Sequence, residues 1–552
     1  MANNNHRGRS GLIASICTAL LLVLTLAASR TFYSSPAQGI APAQDETKRE
    51  ELKESPANGA QPIVVSSTSS AVELGRNINR LIDESDFKDA RWGVCVISLR
   101  DGRVLYARNA ERAIAPASNL KLYTTAVALD LLGADYRWRT SVYAGAVPDK
   151  SGTIAGDLTL YGRGAPDLSS SNEGKEESGA LDQLADELYR RGIRRVRGGI
   201  IGDESHFRGD PLGDGWLWND VQWYFGAEVS ALTVNDNEIN VSVTPASKPG
   251  EAASIRLKPA SAYISIENDT NSAERGTPAT IGITRGLSDN NVRIWGDFPV
   301  GARAISARLS VHQPALWAAM LFQDALHRRG IAVEGKARTV DARENKQEAH
   351  IDLERSVELA SVMSKSLGQI VRLTNKESIN LYAELILRTL GKERGMTAPA
   401  ADQKKMRTRG DDEAGVAVIH QWLERHGVPV DALALHDGSG LSRLDLVTPE
   451  ATARLLAVMA KNPSAQIFRD SLPVAGRDGT LKFRLRSVSP GRIAAKTGTL
   501  TYINSLSGYV TTADDEVLAF SIICNDETEA ESSTRLVDAI AATLVSYQES
   551  SP

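Results

Sequence analysis

A chain of 552 residues is longer than the roughly 250–300 residues that one hydrophobic core serves, so several folded units are expected. Hydrophobic residues make up 42% and charged residues 24%, which is ordinary for a globular protein. A net charge of −5 excludes the basic footprint of a nucleic-acid binder. Three cysteines exclude a disulfide scaffold, and their spacing fits no zinc motif, so neither metal nor cofactor is expected.

The chain opens with His6, Arg7 and Arg9, followed by an apolar run over residues 12–28 and then Ser29 and Arg30. Residues 1–29 read as an export signal, either cleaved near Ala27 and Ser29 or retained as a membrane anchor. The first cysteine, Cys17, lies in this segment. Residues 30–70 are rich in Ser, Ala, Pro, Gln and Glu without periodicity and read as a disordered linker. An amphipathic helix is expected over 71–84. Strands over 91–99 and 103–108 follow, joined by an Asp101-Gly102 turn, and then a helix from 118 to 132. Residues 71–135 thus form the first part of a domain.

From 136 to 352 short strands alternate with turn clusters, as at 156–162, 197–202 and 239–243. Two stretches look alike. Residues 181–198 hold a helix ending in Arg190-Arg191-Gly192-Ile193, and residues 314–335 one ending in Arg328-Arg329-Gly330-Ile331. Each runs on into a short strand closed by glycine, and the glycines suit left-handed helix caps. A looser third version covers 416–428. The likeness reads either as a βαβ-like layer in this insert or as chance similarity of helix ends.

Residues 353–552 form the second part of the interrupted domain. Helices are expected over 357–367, 378–390, 412–426 and 448–461. Strands follow over 493–496, 504–510 and 517–524, then a last helix over 532–547. A helix and two strands at one end of the chain, with three strands and a helix at the other, imply one sheet built from both ends. The fold class is α/β (α+β): a central antiparallel sheet flanked by helices and interrupted by a large β-rich insert, read as two subdomains.

Three short motifs carry chemistry. In Ser118-Asn119-Leu120-Lys121 a serine and a lysine three apart share one helix face. Serine needs an adjacent base to act as a nucleophile, and a lysine whose pKa is lowered by burial can be that base. Ser378-Ile379-Asn380 opens a predicted helix. Lys496-Thr497-Gly498-Thr499 sits on a predicted strand, where a glycine marks close approach of a ligand to the backbone. Taken singly, the two serines are also what a helix N-cap looks like, and the glycine what a strand end looks like. In this order, S-x-x-K, S-x-N and K-T-G are the signature of penicillin-binding proteins and class A β-lactamases.

With these motifs the chain resembles the D-Ala-D-Ala carboxypeptidase/endopeptidase family of class C low-molecular-mass penicillin-binding proteins, peptidase family S13. The resemblance runs over nearly all of residues 75–545. It includes Asp157-Leu158-Thr159-Leu160-Tyr161-Gly162, Gly202-Asp203-Glu204-Ser205-His206-Phe207 and the run from Ser230 to Asn237. It also includes Asp437-Gly438-Ser439-Gly440-Leu441-Ser442-Arg443 and Gly476-Arg477-Asp478-Gly479-Thr480-Leu481. The resemblance implies a transpeptidase-like fold and a serine-type peptidase acting on peptidoglycan stem peptides and cross-links in the periplasm, inhibited by β-lactams. It casts Ser118 as the acyl-ester nucleophile, Lys121 as its base and Ser378 as the relay to the leaving D-alanine. Asn380 orients Lys121 and the substrate amide. Lys496 and Thr497 hold the terminal carboxylate, with Gly498 and Thr499 along the peptide. The backbone N–H groups of Ser118 and Thr499 form the oxyanion hole. Ile379 stands where an acidic or amide residue is common. The same motifs also serve a β-lactamase or esterase of this fold, or an inactive cell-wall-binding scaffold.

Other features read as structural. Gly162-Arg163-Gly164 lacks the third glycine of a dinucleotide motif. Gly438-Ser439-Gly440 reads as a turn near the site, and His436 as a loop hydrogen-bonder. Trp216, Trp218, Trp223 and Tyr224 read as core or inter-domain contacts ahead of a sugar-stacking surface. Cys95 and Cys524 fall on the predicted first and last strands of the sheet, which the resemblance makes neighbours, and read as free buried thiols or as a cross-strand disulfide.

Overall fold

The structure, a computed structural model, describes residues 63–170, 179–342, 351–395, 409–486, 490–528 and 532–549. The export segment, Cys17 and the linker up to residue 62 lie outside the described residues. Structure begins slightly earlier than residue 71. Val65 bridges Val104, and Thr68 caps the helix Ser69–Asp83, whose Ala71, Leu74, Ile78 and Ile82 form a buried stripe. Among the described residues no helix is long and apolar enough to cross a membrane.

The two ends of the chain build one antiparallel sheet. Its strands run in the order Ile493–Leu500, Ile503–Thr511, Val517–Asn525, Arg91–Ser98, Val104–Arg108. The hairpin between the two N-terminal strands turns at Gly102 with φ +82°, a conformation that glycine adopts without steric cost. Alternate residues face opposite cores. Leu518, Phe520, Ile522 and Cys524 join helices Ser69–Asp83 and Thr534–Val545 on one side. Ala519 and Ile523 point to the helical core on the other. That core is built around Lys121–Leu132, with Leu367–Lys376, Asn380–Arg394, Asp411–Arg425 and Pro449–Met459 about it. Residues 121 to 129 of the central helix are all buried, which explains a sequence that is apolar apart from Lys121, Thr124 and Thr125 rather than one with an apolar stripe.

The register decides the cysteines. Cys95 lies opposite Ser521, whereas Cys524 lies opposite Trp92. An offset of three residues puts the thiols on opposite faces, one against Ala453 and the other in the core under the terminal helices. Both are free, so the disulfide reading falls.

In the insert, Arg338–Val340, Ile200–Asp203, Leu158–Tyr161, Arg139–Ala144 and Val357–Met363 form a second five-stranded sheet. The first three are parallel, and helices Ala180–Arg190 and Pro314–Arg328 make the crossovers. Each helix ends at a glycine with positive φ, Gly192 at +84° and Gly330 at +82°. Each then enters a two-residue strand, Arg195–Val196 or Ala332–Val333, and these pair in parallel. The two similar stretches are therefore equivalent βαβ halves. The third stretch also ends at a positive-φ glycine, Gly427, but no named strand follows it before helix Pro449–Met459. Two three-stranded sheets complete the insert, one around Glu238–Thr244 and one around Asn291–Pro299.

Residues 357–367, expected as a helix, instead form the strand Val357–Met363, antiparallel to Arg139–Ala144, and helix starts only at Leu367. Pairing to an available sheet edge overrides the weak helical pattern of V-E-L-A-S-V-M. The insert sheet thus takes its last strand from beyond residue 353.

Candidate active site

The nucleophile segment is tightly built. Ala117, with φ +48°, turns the chain into a short 3-10 turn over Ala117–Leu120, which leads directly into Lys121–Leu132. This brings the half-buried Ser118 and the buried Lys121 together, with Nζ 3.0 Å from Ser118 Oγ. Lys121 Nζ also donates to Asn380 Oδ1 at 2.6 Å and to the Ser439 carbonyl at 2.7 Å. Burial lowers the Lys121 pKa to about 8, partly offset by the negative charge of Asp437, Glu384 and Asp445. As a neutral amine it can keep its bonds to Asn380 and Ser439 and aim its lone pair at the Ser118 hydroxyl.

Helices Leu367–Lys376 and Asn380–Arg394 meet at Ser378, whose φ is +58°. Asn380, first in its helix, donates from Nδ2 to the Phe225 carbonyl of the insert at 2.8 Å. Lys496 Nζ lies 2.9 Å from Ser378 Oγ and donates to the Thr497 carbonyl at 2.8 Å. Burial, with the charge of Lys121 added, holds Lys496 well below the usual lysine range. The strand Ile493–Leu500 runs against the nucleophile turn at Gly498. A Cβ there would lie 2.2 Å from Ser505 Oγ, 2.8 Å from the Pro116 carbonyl and 3.0 Å from the Ser118 nitrogen. Ser505 Oγ donates to the Pro116 carbonyl at 2.7 Å, and Asn119 Nδ2 to Ser507 Oγ at 2.7 Å, pinning the turn to the sheet.

The structure therefore brings together all eight residues that the motifs point to. Ser118, Ser378, Asn380, Thr497 and Thr499 line one cleft of roughly 740 Å³, and Lys121 and Lys496 lie buried behind it. Tyr224 also lines the cleft, beneath the Arg308 guanidinium at 3.9 Å.

Some contributors carry no motif. The Ser439 carbonyl is presented by the D-G-S-G turn, which does lie at the site. That turn winds around the buried Asp437 carboxylate, which accepts from the backbone N–H groups of Ser439, Gly440 and Ser442 at 3.0, 2.7 and 2.8 Å. Trp216 Nε1 adds a fourth bond at 2.9 Å, an insert-to-catalytic-core contact, whereas Trp218 is exposed. Glu384, one helical turn after Asn380, accepts from Gly438 N at 3.1 Å, and burial beside Asp437 raises its pKa to about 8. His436 bonds Asp214 in a loop, 3.2 Å away. A helix glutamate and backbone carbonyls have no sequence signature, and only the neighbouring Asp437-Gly438-Ser439-Gly440 turn hinted at them.

Known proteins match the chain over most of its length. The model of the D-Ala-D-Ala carboxypeptidase 3 (S13) family matches residues 74–546. A D-alanyl-D-alanine carboxypeptidase from Actinomadura sp. (strain R39) is 34% identical over 502 residues, covering 89% of this chain and 88% of that protein. The D-alanyl-D-alanine carboxypeptidase DacB of Haemophilus influenzae is 26% identical over 432 residues, covering 78% of this chain and 84% of that protein. The crystal structure of penicillin binding protein 4 from Haemophilus influenzae superposes with a TM-score of 0.70 at 24% identity, covering 84% of this chain and 98% of that one, which shows the shared fold. With its fold and its three motifs assembled around one serine, the chain belongs to the D-Ala-D-Ala carboxypeptidase 3 (S13) family of serine peptidases.

Proposed function

We propose that this serine-type D-Ala-D-Ala peptidase works through an acyl-enzyme on Ser118. The observation that carries this reading is the buried Lys121 amine, 3.0 Å from Ser118 Oγ and fixed by Asn380 and the Ser439 carbonyl. In the neutral form Lys121 takes the Ser118 proton as Oγ attacks the carbonyl carbon of the penultimate D-alanine. The resulting oxyanion is held by the backbone N–H groups of Ser118 and Thr499. Collapse breaks the peptide bond, and the proton reaches the departing amine through Ser378, which Lys496 contacts at 2.9 Å. Water then hydrolyses the ester and regenerates Ser118. Lys496 and Thr497 receive the terminal carboxylate, while Gly498 and Thr499 run beside the peptide backbone. The same steps cut a cross-link when the leaving amine belongs to a neighbouring stem peptide.

A cell-wall substrate implies action outside the cytoplasm. Residues 1–29 fit that as a signal or an anchor delivering the protein to the periplasm. Residues 71–135 and 353–552 are read as the catalytic domain and 136–352 as its insert, whose sheet also takes in the strand Val357–Met363.

The test is labelling with a fluorescent penicillin, comparing purified protein with Ser118→Ala. A covalent band in the wild type and none in the variant is expected. A band that persists in Ser118→Ala, or none in folded wild type, removes Ser118 as the nucleophile.

A further inference from the structure

The Gly476-Arg477-Asp478-Gly479-Thr480-Leu481 turn has no part in the chemistry above, yet it is fastened to the site from both sides. Asp478 accepts from Lys376 Nζ at 2.7 Å through both oxygens and from Val474 N at 2.8 Å. Lys376 is buried, ends the helix two residues before Ser378, and also donates to the Leu472 carbonyl at 2.5 Å. Gly479, with φ +55°, lies so close that a Cβ there would be 2.7 Å from the Lys376 carbonyl oxygen. This anchorage delivers Thr480 to the cleft wall, its Oγ1 2.7 Å from Thr497 Oγ1.

Two hydroxyls that share one hydrogen bond keep a single proton free for another acceptor. Thr497 is buried and Thr480 is exposed to the cleft, and neither hydroxyl has another partner among the described residues. If Thr480 donates, the Thr497 proton is freed for the cleft. If Thr497 donates, Thr480 supplies the proton itself. In both arrangements the pair offers one donor beside Lys496, which suits an anion and adds no further buried charge.

We propose that Thr480 is a further substrate-binding residue, whose hydroxyl acts with Thr497 as one donor unit for the terminal carboxylate of the substrate. The Lys376–Asp478 pair positions it. This assignment rests on the peptidase reading above.

Two thioesters with the same acyl-D-alanyl donor test it, one leaving as mercaptoacetate, which carries a carboxylate, and one as neutral mercaptoethanol. Thr480→Val keeps the side-chain shape and removes the hydroxyl. The expected result is a loss of about tenfold or more in kcat/KM for the carboxylate-bearing thioester, the size of a hydrogen bond to a charged group. The loss appears mainly in KM, the preference over the neutral thioester falls by the same factor, and Thr480→Ser restores it. Equal losses on both thioesters, or no loss on either, overturn the assignment and leave the peptidase reading intact. A wild type that hydrolyses neither thioester and takes no penicillin label overturns both.

Discussion

Lys121 can serve as a base only as a free amine, so the rate of acylation should follow its titration. With a pKa of about 8, the amine is unprotonated in about a tenth of molecules at pH 7 and about a hundredth at pH 6. The second-order rate of penicillin labelling should therefore rise about tenfold per pH unit below 8 and level off above it. Asn380→Asp perturbs this directly, because it replaces the acceptor 2.6 Å from Lys121 Nζ with a carboxylate. An opposite charge at that distance raises a lysine by about 1–3 pH units. The limb moves upward, and labelling at pH 7 falls by about 10- to 1000-fold, recovering only as pH rises past about 9 to 11. The variant also loses the Asn380 Nδ2 bond to the Phe225 carbonyl, so Asn380→Ala is the control. Alanine loses both bonds without adding charge, and its deficit should not recover at high pH. A labelling rate flat between pH 6 and 9 in the wild type, or an Asn380→Asp limb at the wild-type position, refutes Lys121 as the base.

Two further outcomes follow from packing. Gly498→Ala drives a methyl group into Ser505 Oγ and the backbone of the nucleophile turn. It should destabilise the protein by about 1–3 kcal/mol in urea unfolding and abolish labelling, because the obstructing atoms include the rigid Pro116 carbonyl. In protein comprising residues 31–552, a thiol reagent should find no reactive cysteine in the native state and two in unreduced denaturant. Cys95 and Cys524 are both free, and burial raises each thiol to about 12. Failure of the two thiols to appear on unfolding contradicts the strand register.

The sequence carried the catalytic sheet and the motifs well, and for physical reasons. Ser118 and Lys121 lie three apart on one helical turn, so their contact is set by local geometry. The inner strands Arg91–Ser98 and Val517–Asn525 are largely apolar on both faces because both faces are buried, and that composition is plain to read. Residues 357–363 read as helix because their Glu, Leu, Ala and Met favour it, and only the free edge beside Arg139–Ala144 decides otherwise. Their burial does not alternate cleanly, and a register shift lies between Glu358 and Ala360, so the period-two signal is missing as well. Glu384 is unreadable for a different reason. It sits mid-helix like any solvated glutamate, and packing alone turns it toward Gly438.

The sheet order carries a consequence for how the site comes into being. In the sheet, the K-T-G strand reaches Arg91–Ser98 through Ile503–Thr511 and Val517–Asn525. A nascent chain that has emerged to residue 512 already holds every catalytic motif, yet lacks the ladder that joins the last of them to Arg91–Ser98. Closing it pairs segments more than 400 residues apart, as between Cys95 and Ser521. Such distant pairing is slow to form. The catalytic sheet thus stays open until Val517–Asn525 has emerged, and its competence arrives with that strand. Truncation ahead of Val517, which removes this strand, should cost the whole activity, although no catalytic side chain is removed.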